Sequence, residues 1–187
     1  MDNNKLKRIL TFLISEQPIA LFTITLIRLS NLISILEYFI LLLFFSVIPS
    51  FSFFTFIKYP WDFKKERHVS FIINTVSFFL GLIVILLIKA TRTAIFIALA
   101  YNITGIVLSA INLKGYKASG HASSIAGPST TLTLIFGPKG GLLYLFLLPA
   151  AYLKITLKDH TLMQFITGVF IAVISTLFAY YIVGGIG

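Results

Sequence analysis

Long apolar runs separated by short polar stretches recur along the whole chain. A helix needs roughly 20 mostly apolar residues to cross about 30 Å of hydrocarbon, and its backbone must satisfy its own hydrogen bonds there. The pattern predicts an all-α fold, a polytopic membrane helical bundle with about six transmembrane helices, in a single domain over residues 1–187. The predicted apolar segments are residues 18–29, 32–56, 71–88, 93–111, 121–136, 142–152 and 162–183.

The first apolar region is interrupted at Glu16-Gln17-Pro18. Proline has no amide hydrogen and disfavours helix at the residue before it. Two interpretations stay open, an interfacial amphipathic helix within residues 1–17 followed by a short membrane helix, or one kinked span. In the second segment Pro49 predicts a kink, and Glu37 is either a functional carboxylate or one near enough to the helix end to reach the interface.

Three polar stretches hold most of the basic residues, at 58–70, 112–120 and 154–161. Two apolar segments separate the first stretch from the second, and two more separate the second from the third. An even number of crossings returns the chain to the same side, so all three stretches are predicted to face one side of the membrane. Which side of the cell that is stays open, because most of the charges that would set the orientation are candidate site residues.

Composition supports the membrane interpretation and raises the question of an anionic ligand. The chain is 58% hydrophobic and 11% charged, with a mean hydropathy of +0.98, outside the usual range for soluble domains. Its net charge is +9, from 15 Lys and Arg against 6 Asp and Glu. Loop topology, attraction to anionic lipids and binding of a substrate phosphate each explain this excess. Nucleic acid is not expected, since no basic face exists apart from the loops, and the lack of Cys excludes thiolate chemistry.

The polar stretches offer the groups that phosphoryl transfer needs. A phosphate ester requires cations and backbone donors for its oxygens, a nucleophile in line, and an acid for the leaving oxygen. His121 and His160 are a titratable pair, and Ser119 and Gly120 precede a helix whose N-terminus favours anions. No carboxylate cluster has metal-ligand spacing, so a mechanism without metal or other cofactor is favoured. The candidate cations are Lys64, Lys65, Arg67, Lys117 and Lys154.

Three segments together resemble the signatures of the type 2 phosphatidic-acid phosphatase superfamily. Lys117-Ala118-Ser119-Gly120-His121 is similar to the second signature, usually Pro-Ser-Gly-His, and Lys64-Lys65-Glu66-Arg67 to a shortened first signature, usually Lys-x6-Arg-Pro. Lys154, His160 and Gln164 match the spacing of the third, usually Arg-x5-His-x3-Asp. The resemblance runs from about Pro18 to the C-terminus and is closest to small prokaryotic members.

The resemblance implies a phosphohistidine mechanism. His160 would attack phosphorus, and His121 would protonate the departing group. Gln164 stands where the family usually has an Asp that orients the nucleophile; an amide can hold the imidazole but cannot stabilise its cation as a carboxylate does. Asp159 is not expected to replace that Asp, because neighbours on a helix do not face each other. The phosphoryl oxygens would be held by Ser119, Gly120, Arg67, Lys154 and one of Lys64 or Lys65.

The first hypothesis is therefore an integral lipid phosphatase of the cell membrane. Its expected substrate is a polyprenyl pyrophosphate such as dolichyl or undecaprenyl pyrophosphate, with phosphatidate-like lipids second. A non-catalytic lipid-phosphate binder or transporter on the same scaffold is the alternative, motivated by Gln164 and by Lys154, which replaces an arginine fork with a point charge. In a third interpretation the basic loops only set topology. His68 is interpreted as a residue outside the site.

Overall fold

The computed structural model describes residues 15–51 and 63–186, with side chains from residue 69 onward in the second range. Those residues form helices and turns without a strand, which confirms the predicted all-α class. We number the helices α1 (Glu16–Leu29), α2 (Ile35–Leu42), α3 (Phe63–Leu87), α4 (Arg92–Leu113), α5 (Gly120–Phe136), α6 (Leu147–Thr156) and α7 (Leu162–Ile182).

Four segments are long and apolar enough to cross a membrane, a feature of integral membrane proteins. The predicted number of about six spans is not confirmed, since among the described residues α1 has only 14 residues and α2 with its extension is a shorter apolar helix, Ile35–Ser50. The four candidate spans are Val69–Leu87, Arg92–Leu113, Gly120–Thr156 and Leu162–Ile182.

Proline does not delay the start of α1. The helix begins at Glu16, so Pro18 lies in its first turn, where backbone amides have no intrahelical partner to lose. The predicted interfacial helix falls, up to residue 14, outside the described residues. The C-terminal end of that predicted segment is instead the N-cap and first turn of α1.

Pro49 produces a wider helical turn in the second apolar segment. Residues Leu43–Val47 form a π-helical turn between α2 and a last short turn, Ile48–Ser50. Without an amide hydrogen, proline cannot bond the carbonyl four residues earlier, and the helix adapts around it. The carbonyl of Phe44, inside this turn, accepts a 2.5 Å hydrogen bond from Ser77 Oγ on α3. The expected kink is therefore a π turn that fixes α2 against α3.

Glu37 has a structural role at the end of the bundle where α2 and α4 begin. It is 4% exposed and closes a capping box with Ser34, whose backbone amide donates to its carboxylate at 2.6 Å. The amide and hydroxyl of Thr91, the N-cap of α4, donate to the same carboxylate. This carboxylate therefore joins two helix starts, which explains a buried acid in an apolar helix.

A hairpin brings the chain back along α5. Gly137 ends α5 with φ of +68°, a conformation that suits glycine, and a 3₁₀ helix follows over Gly137–Phe146. A Cβ on Gly140 would overlap the backbone of Leu132, so the two segments touch closely. Thr130 and Tyr144 share a 2.6 Å hydrogen bond between their hydroxyls. The predicted turn at 137–141 is thus the first half of a longer returning segment that leads into α6.

Candidate functional site

The second and third polar stretches meet at one end of the bundle. The backbone amide of Ser119 donates to the carbonyl of Gln164 at 3.0 Å. Lys117 Nζ donates to the carbonyl of Asp159 at 2.7 Å. These contacts agree with the crossing argument, which predicted that both stretches lie on the same side.

The start of α5 is an anion-type helix N-terminus. Ser119 is its N-cap, is fully buried, and accepts a 3.3 Å hydrogen bond from the amide of Ala122. The amides of Gly120 and His121 belong to the first turn, which has no intrahelical partners for its donors. Free first-turn amides and the helix dipole favour a negatively charged group here.

Lys154 is the most deeply buried cation of the site. Its side chain, in the last turn of α6, forms a 3.0 Å ion pair with Asp159, and the residue is 8% exposed. Its carbonyl accepts from the amides of Asp159 at 3.0 Å and His160 at 3.3 Å. One residue thus holds a positive charge in place and fixes the backbone that carries His160.

Asp159 is the site residue that the sequence argument missed. On a helix Asp159 would diverge from its neighbour His160, but residues 157–160 form a turn between α6 and α7, with Lys158 at φ of +56°. In that turn the carboxylate reaches back to Lys154. A Lys-x4-Asp spacing across a predicted loop is the signal that could have suggested the pair.

A cavity of about 560 Å³ opens beside these groups. His121 is close enough to Lys154 and His160 for its imidazole to interact electrostatically with both side chains. In the part of the chain that the structure describes, no three His, Asp or Glu side chains converge as metal ligands would. At this end, the described lining residues with basic, acidic or helix-start groups are Lys117, Gly120, His121, Lys154, Asp159 and His160.

The other predicted residues have different surroundings. Gln164 closes a capping box with Thr161. Its side-chain oxygen accepts a hydrogen bond from the backbone amide of Thr161 at 3.0 Å, and its backbone amide donates one to Thr161 Oγ1 at 3.3 Å. Neither Gln164 nor Ser119 is among the described residues that line the cavity. That Gln164 orients His160 stays a prediction. The side chains of Lys64, Lys65 and Arg67 lie outside the described part of the chain, although their backbone belongs to α3.

Gly168 allows α7 to approach the start of α5. A Cβ at this position would overlap the carbonyl oxygen of Ser119 and lie 3.2 Å from Ala122 Cβ. The glycine therefore sets the separation between the Ser119–His121 turn and the helix that follows His160.

We expect Gly168→Ala to destabilise the protein by about 1–3 kcal/mol, because the added methyl must push two backbones apart. A lower melting temperature of the purified protein in detergent would show this. Gly105→Ala is the matched control. The nearest atom to its added Cβ would be Cδ2 of Phe78, at an ordinary contact distance of 3.8 Å, and alanine favours helix. Equal melting temperatures for wild type and Gly168→Ala would contradict the close approach.

No family model, no curated protein and no solved structure matches the chain.

Proposed function

We propose that the chain is an integral membrane lipid phosphatase, hydrolysing a lipid phosphate or pyrophosphate without a metal ion. One observation carries the proposal: His121 and His160 line the same cavity as a helix N-terminus and a buried lysine. Imidazoles can attack phosphorus and deliver a proton, while amides and cations stabilise the charge on the phosphoryl oxygens. The proposal includes about six crossings of the cell membrane.

In the proposed reaction His160 attacks phosphorus and forms an N–P bond. The bond from phosphorus to the leaving oxygen breaks, and His121 donates a proton to that oxygen. His121 then deprotonates a water molecule. This water attacks the phosphohistidine and releases inorganic phosphate and free His160. Gly120, Lys117 and Lys154 hold the phosphoryl oxygens, joined by Arg67 and one of Lys64 or Lys65.

The proposed substrate is a polyprenyl pyrophosphate such as dolichyl or undecaprenyl pyrophosphate, with phosphatidate-like lipids second. The cavity is lined by the basic residues and histidines at one end, and many of its other lining residues belong to the long apolar helices. A lipid phosphate bound there would keep its hydrocarbon chain within the bilayer while its phosphate meets the histidines.

The purified protein in detergent should release phosphate from undecaprenyl pyrophosphate in the presence of excess EDTA, and more slowly from phosphatidate. Inorganic pyrophosphate, which has no chain, is the control for the lipid requirement. If the protein releases phosphate from neither lipid, the proposal is overturned. Release that occurs only after a divalent metal is added would overturn the metal-free form of the proposal.

A non-catalytic binder or transporter of lipid phosphates is the second candidate, favoured by the helix-capping role of Gln164. If Gln164 serves the helix start, nothing at this position supplies the charge that the family's usual Asp gives the nucleophile. This candidate predicts lipid-phosphate binding without phosphate release by the wild type. Gln164→Asp would then gain activity from none.

A further inference from the structure

The cavity has a second polar region, away from the histidines, that the proposed reaction does not use. It is formed by Glu16 at the start of α1, Asn74 on α3, Tyr101 on α4 and Thr176 on α7, all of which line the cavity. At about 1.5 Å per residue, Tyr101 lies roughly 18 Å along α4 from its end at Leu113. Tyr101 is therefore near the middle of this candidate span, and we call the four residues the inner cluster.

Glu16 is the ionisable member of the inner cluster. Asn74 Nδ2 donates to Glu16 Oε2 at 2.8 Å, and Tyr101 lies within electrostatic reach of the carboxylate. The described residues give Glu16 no ion-pair partner. Glu16 is only partly exposed, and a carboxylate largely withdrawn from water is costly unless a cation or several donors compensate it.

Three oxygen atoms of residues that line the same cavity also have no hydrogen-bond partner among the described residues. They are Asn74 Oδ1, Tyr101 OH and Thr176 Oγ1, each buried. Thr176 is 0% exposed, and the three residues lie on three different helices. Native proteins rarely leave such atoms without a partner. Here three of them line one cavity together with an acid, which distinguishes them from a single packing defect.

The surrounding contacts hold the cluster in place. Ser46 Oγ, in the π-helical turn, donates to the carbonyl of Gln17 at 3.0 Å and so fixes the start of α1. The ring of Tyr101 packs against the stacked pair of Phe45 and Phe78, with ring centroids 5.2 and 5.3 Å away. A fixed carboxylate and fixed oxygens form a pre-organised group of acceptors.

We propose that the inner cluster binds a small monovalent cation, an alkali ion or a primary ammonium, with Glu16 supplying the charge and Asn74, Tyr101 and Thr176 supplying neutral oxygens. Both kinds of ligand carry one positive charge, and both are bound by oxygen atoms. A single carboxylate among neutral oxygens suits one charge, whereas divalent ions usually take more carboxylates or phosphates.

Thermal unfolding of the purified protein in detergent tests this at constant ionic strength. Sodium, potassium, ammonium and methylammonium chlorides are compared with choline chloride, whose quaternary nitrogen carries no N–H and whose methyl groups keep its charge away from oxygen ligands. We expect at least one small cation to raise the melting temperature by roughly 3 °C over choline. A shift with sodium or potassium identifies an alkali ion, and a shift confined to the amines identifies an ammonium group. Equal melting temperatures in all five salts would overturn the proposal.

Two variants locate the effect. Glu16→Gln keeps the shape and removes the charge, so the cation-dependent shift should disappear. Thr176→Val should at least halve it, whereas Thr23→Val should keep it. The Thr23 hydroxyl is also buried, with no partner among residues 15–51 and 63–186, but Thr23 does not line the cavity. A full shift in Glu16→Gln, or equal shifts in the two valine variants, would contradict the site. The readout needs no phosphate release, so it stands or fails independently of the proposed reaction.

Discussion

His160→Ala should lower phosphate release from a lipid pyrophosphate by at least about 1000-fold, because it removes the atom that attacks phosphorus. Water could attack phosphorus directly in the remaining site, but without the positioned imidazole. The measurement is the rate of inorganic phosphate release by purified protein at saturating substrate. The fold should survive, since in the described structure the backbone amide of His160 contacts Lys154 independently of the ring.

His68→Ala is the matched control for this variant. It removes the same side chain from a residue that the sequence analysis places outside the site, so turnover should stay near that of the wild type. Melting temperatures of both variants in detergent separate loss of chemistry from loss of fold. Undiminished turnover in His160→Ala would rule out the nucleophile assignment.

His121→Ala should lower hydrolysis of a lipid monophosphate by about 100- to 10,000-fold, the usual contribution of a general acid. An alkoxide is a poor leaving group and needs the proton, whereas a nitrophenolate leaves without one. The loss with p-nitrophenyl phosphate should therefore be smaller by at least about tenfold. Because both substrates share the later hydrolysis of the phosphohistidine, the difference is measured in the first turnover, as the rate of leaving-group release by the same enzyme preparation.

The substrate comparison distinguishes an acid from a structural residue. A change in the shape of the site would impair both substrates to a similar degree, because both need the same phosphoryl pocket. Equal losses in the first turnover of the two substrates would therefore contradict the acid role of His121, even if His160→Ala is inactive.

Much of the helical architecture could be read from the sequence, because apolar length is its dominant signal. Predicted segments 93–111 and 162–183 correspond within a few residues to α4 and α7. The number of spans could not be predicted from the sequence. Helix α1 is too short to count as a span, and the segment after Gly137 returns as a 3₁₀ helix against α5. Those outcomes depend on close backbone contacts such as that of Gly140, which periodicity does not reveal.

Part of the candidate site was also predictable. Spacing selected His121 and His160, and crossing parity predicted that their loops share a face. The pairing of Lys154 with Asp159 depends on the conformation of the turn over residues 157–160, which the apolar pattern does not predict. The inner cluster combines residues from four helices, and only their packing brings Glu16 near Asn74. Sequence spacing cannot show such a contact.

The most direct test of the central claim is to look for phosphate covalently attached to His160. Wild-type protein and the His121→Ala and His160→Ala variants are mixed with lipid pyrophosphate carrying ³²P in its terminal phosphate, quenched with alkali and separated from lipid. We predict an alkali-stable, acid-labile phosphoprotein in wild type and His121→Ala, and none in His160→Ala. Label retained in His160→Ala, or phosphate release by a wild type that never carries label, would contradict the proposed mechanism.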